Sequence, residues 1–248
     1  MPVAALYDIH ANLPALEAVL EDVRRARVDR IVVGGDVVPG PMPRETLQRL
    51  LDLDVPVDFI YGNGEQEILR WMRGADTSSA PRHYWDMLQW NAQQLHPDRE
   101  AVLASWPLTL RVPIDGVGEV LFCHATPRND NEIFTRRTAE DRLLPVFRNV
   151  DAPVVVCGHT HMQFDRTVGS VRIVNAGSVG MPFQEPGAYW LLLGPDIQLR
   201  RTDYDLHGAA ARIRATMSPL ADEFAARNVL NPPSEQETLE AFSRAELK

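Results

Sequence analysis

At 248 residues the chain is close to the upper size at which one hydrophobic core still serves, so a single domain over 1–248 is expected. With 45% hydrophobic and 24% charged residues it has an ordinary globular make-up, and its formal net charge of -9 argues against bulk nucleic-acid or anionic-membrane binding, both of which need a basic surface. An anionic substrate would need local positive charge, which bound metal ions supply.

No basic leader with an apolar core precedes the first ordered element, and no run nears the roughly 18 apolar residues of a membrane span, so a cytoplasmic protein is expected. Only Cys123 and Cys157 occur, each in a strand-like run just before a histidine. That fits small buried residues in a reducing compartment better than a disulfide framework.

Residues 3–7 read as a short buried strand, followed at once by Asp8-Ile9-His10; Leu13, Leu16, Val19, Leu20 and Val23 then recur at helical spacing, with Pro14 suited to a first turn. A strand at 31–33 ends in Gly34-Gly35-Asp36, and a stiff loop containing Pro39, Gly40, Pro41 and Pro43 leads to a helix with Leu47, Leu50 and Leu51. The third unit is a strand at 57–61, then Gly62-Asn63-Gly64-Glu65, then a helix with Ile68, Leu69 and Met72. Three successive strand, loop and helix units predict a parallel sheet with right-handed crossovers. The loops after the carboxyl ends of such strands gather on one edge, which brings Asp8, His10, Asp36 and Asn63 together.

After a polar break at 74–81, helical patterns at 83–95 and 97–106 predict a helical insert over about 65–106 that covers one side of the sheet. Trp71, Trp85, Trp90 and Trp106 fall in it, where core packing is the default role. Strands at 108–112 and 117–122 flank an Ile114-Asp115-Gly116 turn, and the second ends in Cys123-His124-Ala125-Thr126-Pro127. A helix at 138–147 and a strand at 153–156 precede Cys157-Gly158-His159-Thr160-His161. In an extended segment residues i and i+2 point the same way, so His159 and His161 aim two imidazoles at one place. Histidine serves both as metal ligand and as general base, and the pair alone leaves both roles open. Residues 163–202 hold three or four short strands, with a hairpin at Val168-Gly169-Ser170-Val171, and are expected to give a second sheet, mixed or antiparallel. Helices at 209–217 and 220–227, and a last one whose Ser234 and Glu237 fit a capping box, make a C-terminal extension over about 204–248.

Seven residues, Asp8, His10, Asp36, Asn63, His124, His159 and His161, each follow a strand-like run by no more than a few positions. Nitrogen and oxygen donors in this number exceed the need of one catalytic zinc and lack the all-oxygen character of a calcium cage. They fit two divalent ions bridged by a carboxylate.

The order Asp-x-His, Gly-Asp, Gly-Asn, His and Gly-His-x-His, over about residues 3–193, strongly resembles the calcineurin-like metallophosphoesterase superfamily, in particular its small prokaryotic phosphodiesterase-like members. The runs Asp8-Ile9-His10-Ala11-Asn12-Leu13-Pro14, His124-Ala125-Thr126-Pro127 and Asn175-Ala176-Gly177-Ser178-Val179-Gly180 look like its accessory signatures. The resemblance implies an α/β fold, a four-layer α/β/β/α sandwich of two mixed sheets with the metals at the loop edge between them. It implies that Asp8, His10 and His161 hold one ion, that Asn63, His124 and His159 hold the other, and that Asp36 bridges them. Asp36, Asn63 and His124 are thereby the catalytic groups, with Asn12 donating to a phosphate oxygen.

The implied activity is hydrolysis of a small phosphorylated substrate such as a nucleotide, a phosphodiester in the first instance. Phosphomonoesters and the pyrophosphate bond of dinucleoside polyphosphates are the close alternatives, and a metal-bound interaction scaffold with weak catalysis is the alternative of another class. Manganese is the first choice of ion, although iron, zinc and nickel suit the same mixed ligands. A homo-oligomer is left open.

One departure stands out. Where many members have histidine after the Gly-Asn pair, this chain has Gly64, so the group usually assigned to protonate the leaving alkoxide is missing. Either the leaving group is acidic, or an acid such as His83 or His96 is borrowed from the insert. His83, His96 and His207 otherwise sit in no motif and read as structural. Arg128, Arg136, Arg137 and Arg166 have the geometry to meet phosphate, but solvation is their default.

Overall fold

The computed structural model describes residues 1–78 and 80–247. Its architecture follows from the period-2 alternation of strands that are buried on both faces. In β1 (Val3–Leu6), Val3 and Ala5, with Tyr7 just beyond, enter a core that lies between two sheets, while Ala4 and Leu6 enter a core beneath helices. In β2 (Arg30–Val33), Val32 faces between the sheets, and Ile31 and Val33 face the helices. Helices α1 (Leu13–Ala26), α2 (Pro43–Leu51) and α3 (Asn63–Met72) each follow a strand, with β3 (Val57–Phe59) preceding the third. Their buried stripes, such as Leu16, Val19 and Val23 of α1 and Leu47 and Leu50 of α2, cover the outer face of the first sheet.

The insert adds a short turn at Arg82–Tyr84, α4 (Trp85–Gln94) and α5 (Asp98–Ala104). Met87, Leu88, Leu95, Leu103 and Trp106 extend the core of the first sheet. Trp106 stacks on Phe59 at 4.6 Å and Trp71 meets Trp85 edge-on at 6.2 Å, so these tryptophans are used in packing.

The second sheet is built from β4 (Thr109–Ile114), β5 (Gly118–Cys123), β6 (Val154–Cys157), β7 (Phe164–Val168) and β8 (Val171–Asn175), in the order β4-β5-β6-β8-β7. Val120, Phe122, Val154 and Val156 face the first sheet, whereas Leu121, Cys123, Val155 and Cys157 pack under α6 (Glu140–Phe147). Both cysteines are buried and free. The layers are therefore α/β/β/α, and both sheets are mixed, with β1, β2 and β3 parallel, and β5, β6 and β8 parallel.

One expectation is corrected. The strands of residues 163–202 do not all join the second sheet: β9 (Ala188–Leu193) pairs antiparallel with β1, and β10 (Ile197–Thr202) pairs with β9, giving the first sheet the order β10-β9-β1-β2-β3. The chain changes sheets over the loop at 176–187, where the Val179 and Gly180 N–H groups donate to the Tyr7 and Asp8 carbonyls at 2.9 and 3.0 Å. This crossover loop draws the two sheets together just above the ends of β1 and β6.

The C-terminal extension contains α7 (Leu206–Arg214), α8 (Ala221–Phe224), a wide helical turn at Ala225–Leu230, and α9 (Glu235–Phe242), which opens on the expected Ser234 and Glu237 capping box. Ala209, Ile213, Phe224 and Val229 form its own small core. Among the described residues no helix is long and apolar enough to cross a membrane.

Candidate metal centre

Asp8 follows β1, Asp36 follows β2, Asn63 opens α3 after β3, His124 follows β5, and His159 and His161 follow β6. All lie at the carboxyl ends of the parallel strands. Six non-glycine residues here, Asp8, His10, Ala11, Asp36, His159 and His161, have left-handed backbone with φ between 48° and 64°. Side-chain-bearing residues seldom adopt that region, and such strain collects at functional sites.

The left-handed turn corrects the extended geometry expected for the histidine pair. The Thr160 N–H closes on the Gly158 carbonyl at 2.7 Å, so the segment curls. His159 then meets His124, with ring centroids 5.1 Å apart, while His161 meets His10 at 4.9 Å. The two histidines reach one site but different halves of it. Gly158 permits the curl, because a Cβ there would lie 2.5 Å from both Asp8 Oδ2 and the Tyr7 ring.

The imidazoles are oriented by their outer nitrogens. Nδ1 of His10, His124 and His161 contacts the carbonyl oxygens of Pro39, Gly34 and Met181 at 3.1, 2.8 and 2.7 Å. Donation to those carbonyls leaves the Nε2 lone pairs facing inward. There, His10 Nε2 is 3.1 Å from His161 Nε2, His124 Nε2 is 3.2 Å from Asn63 Oδ1, and Asp8 Oδ1 is 3.3 Å from His161 Nε2. Asp36 divides its carboxylate, with Oδ2 3.7 Å from His10 Nε2 and Oδ1 3.7 Å from His124 Nε2. Two donor groups result, Asp8 with His10 and His161, and Asp8 with Asp36 and His124.

These residues fit divalent cations better than they fit one another. Asp8 Oδ1 and His159 Nε2 are buried and have no hydrogen-bond partner. Orphaned buried acceptors are costly unless a cation takes the place of water. Burial pushes the Asp8 carboxyl up to about 7 and that of Asp36 up to about 6. Burial holds His10 and His161 down at about 4, and holds His159, which also faces His124, well below its usual value. His10, His159 and His161 are therefore neutral at physiological pH and free to donate lone pairs to a metal.

Asn12, expected as a substrate donor, serves in this structure as a helix cap. Its Oδ1 accepts the Ala15 N–H at 3.2 Å, capping α1, and its Nδ2 donates to the Gly180 carbonyl at 3.0 Å. Fully buried and committed to the loop that crosses between the sheets, it does not reach the cavity.

Gly64 is explained by packing. Its N–H donates to Asp36 Oδ1 at 2.7 Å. A Cβ at this position would run into the Pro39 ring and lie 2.7 Å from Asp36 Oδ1, so Pro39 occupies the space a side chain would need. Of the two candidate acids, His83 lines the cavity above the site, whereas His96 is an exposed residue bonded to Asp98.

Sequence reasoning passed over Glu65. Fully buried, it accepts the N–H groups of Asp36 and Gly62 through Oε2, at 2.7 and 2.8 Å, and those of Val37 and Val38 through Oε1, at 2.7 and 3.3 Å. Burial and the nearby Asp36 charge push it up to about 7 against those donors. Its place three residues after Gly62 was the available signal, since glutamate at that helical position commonly reaches back to the first N–H.

The cavity's guanidinium groups, among the described residues, are Arg70 and Arg227. Three of the four arginines expected as candidates are used elsewhere: Arg128 pairs with Glu132, Arg136 with Glu235, and Arg166 donates to backbone carbonyls at 135, 136 and 138, while Arg137 is exposed and does not line the cavity.

A fold of this layering, with histidines, aspartates and an asparagine gathered at the loop edge, defines a metallophosphoesterase-type scaffold. The calcineurin-like phosphoesterase superfamily domain matches residues 1–194, and the chain belongs to that family. A curated relative, the uncharacterized protein MJ0912 of Methanocaldococcus jannaschii, is 27% identical over 232 residues, covering 85% of this chain and 91% of its own. The crystal structure of a metallophosphoesterase from Sphaerobacter thermophilus is similar with a TM-score of 0.70 at 26% identity, covering 91% of this chain and 98% of that one. The hypothetical protein PH1004 from Pyrococcus horikoshii OT3 shares the fold with a TM-score of 0.80 at 21% identity, over 94% of this chain and 99% of that one.

Proposed function

We propose that the chain is a phosphodiesterase that works with two divalent metal ions, manganese in the first instance. The observation that carries this reading is the convergence of inward Nε2 atoms on two carboxylates, with Asp8 Oδ1 and His159 Nε2 buried and unpartnered. Asp8, His10 and His161 would hold one ion and Asn63, His124 and His159 the other, with Asp36 offering one oxygen to each side. Bound there, the pair supplies water activation near neutral pH and neutralises charge on the phosphoryl oxygens.

The chain's own residues do the rest. Carbonyls at Gly34, Pro39 and Met181 fix the rings, Glu65 fixes the loop that presents Asp36, and the Gly64 N–H holds one Asp36 oxygen. Because Gly64 offers no proton, esters with acidic leaving groups are favoured, and of the insert's two candidate histidines His83 is the one on the cavity wall.

Turnover of bis-p-nitrophenyl phosphate with added manganese tests the reading. Activity that is lost on chelation, and lowered by roughly 10³-fold or more in Asp36→Ala, is expected. A fully metallated protein with no turnover would favour the scaffold alternative.

A further inference from the structure

The cavity above the donor cluster has a volume of about 820 Å3, far more than a phosphoryl group needs. Several of the residues that line it beyond the cluster come from the insert, the crossover loop and the C-terminal extension. Tyr84 and Met87 belong to the insert, Phe183 to the crossover loop, and Leu220 and Phe242 to the C-terminal extension. Residues 195–248 lie beyond the span that matches the family, so the extension's share of this wall is added to the part that the family model describes.

The wall is apolar where it adjoins the reactive centre. Phe183 stacks on His161 with ring centroids 4.6 Å apart and meets Phe242 at 6.1 Å, so carbon surface runs from a donor histidine to the last helix. Tyr84, Phe183, Leu220 and Phe242 are only partly buried, and the cavity is where they are open. Its charged groups beyond the cluster are the carboxylates Glu67, Asp130 and Glu223 and the guanidiniums Arg70 and Arg227. Arg70 already faces Glu67 at 3.5 Å. A polyphosphate chain leaving the scissile phosphate would meet more negative than positive groups, whereas an uncharged ring would meet carbon.

The geometry points to a substrate of defined class: a phosphoester bearing a bulky apolar or aromatic group, seated on the wall of Tyr84, Phe183 and Phe242, in preference to polyphosphates and small aliphatic esters. This inference rests on the phosphoesterase reading above. Phe242 and Tyr84 act as specificity-determining residues, binding the part of the substrate that does not react.

The test uses two diesters with the same 4-nitrophenolate leaving group, one carrying methyl and one carrying 1-naphthyl, each corrected for its reactivity with hydroxide. The naphthyl ester should have the higher kcat/KM by roughly ten- to hundredfold, mainly through KM, the range that burial of one aromatic ring gives. Phe242→Ala and Tyr84→Ala should each lower that ratio severalfold. Calorimetry with 1-naphthylphosphonate and methylphosphonate provides a readout without turnover, and the same order and the same loss in the variants are expected.

Failure of the wild-type protein to cleave either diester would sink the phosphoesterase reading, and the binding arm would still judge the apolar wall. A ratio near one, a ratio unmoved in both variants, or a dinucleoside polyphosphate cleaved better than the naphthyl diester would overturn the inference and leave that reading standing.

Discussion

Glu65 Oε2 accepts the Asp36 backbone N–H at 2.7 Å, and the same oxygen takes the Gly62 N–H at 2.8 Å. One carboxylate thus ties the loop that carries Asp36 to the start of the helix that carries Asn63. Glu65→Gln keeps the shape but turns an NH2 group toward N–H donors. It should cost about 2–3 kcal/mol of stability, measured by urea unfolding, and lower metal affinity by roughly 10- to 100-fold, the usual effect of losing an outer support. A variant as stable and as metal-avid as the parent would show that Glu65 does not position Asp36.

The donor cluster should work against the stability of the metal-free protein. Asp8 is fully buried, and burial lifts its carboxyl to about 7. At about pH 8 it must be ionised without a counter-ion, whereas an amide need not be. Asp8→Asn should therefore stabilise the metal-free protein by about 1–3 kcal/mol at that pH while abolishing turnover. Loss of both stability and activity would contradict this.

The response to metal should depend on pH in a defined direction. Asp8 and Asp36, at about 7 and about 6 in the folded state, lie above their unfolded values near 4. Their contribution to stability is complete below about pH 4 and is lost as pH rises through about 6 to 7. His10 and His161 run the other way. Held at about 4 when folded, they contribute fully above about pH 6.5 and lose that contribution as pH falls toward 4. Because cations bind the deprotonated carboxylates and neutral rings, manganese should raise Tm more at about pH 8 than at about pH 5. Thermal scans with and without manganese at the two pH values check it, and an equal or smaller rise at the higher pH would refute it.

Gly64 should resist restoration of the missing histidine. Because Pro39 and Asp36 Oδ1 already occupy the space of a Cβ, Gly64→His should cost about 1–3 kcal/mol and disturb Asp36 rather than add a useful acid. Gly64→His combined with Pro39→Ala should recover part of that stability, measured by urea unfolding. A stable single variant that speeds alkyl ester cleavage would show that the pocket adapts.

Much of this was legible in the sequence because strand periodicity and loop chemistry coincide. Val3, Ala5 and Tyr7 alternate with Ala4 and Leu6, and each such strand ends in glycine, aspartate, asparagine or histidine, so the common edge could be inferred before any coordinates. What escaped was set by tertiary context. Asn12 precedes a helix and is equally suited to cap it or to bind phosphate, and its bonds to Ala15 and Gly180 appear only in the folded chain. Strands β9 and β10 carry no mark of which sheet they join, since both sheets bury similar residues there. The left-handed turns at His159 and His161 follow a glycine packed closely on Asp8 and Tyr7, a contact which sequence neighbours do not reveal. Arg70 and Arg227 sit in no motif and reach the cavity only because the helices around it pack as they do.

Elemental analysis after dialysis against manganese tests the two-ion proposal most directly. The account predicts two equivalents per chain in the parent protein and no more than one in Asp36→Ala, with the far-UV spectrum of the variant unchanged. A parent protein that takes up no metal, or an Asp36→Ala variant that keeps both equivalents, would contradict it.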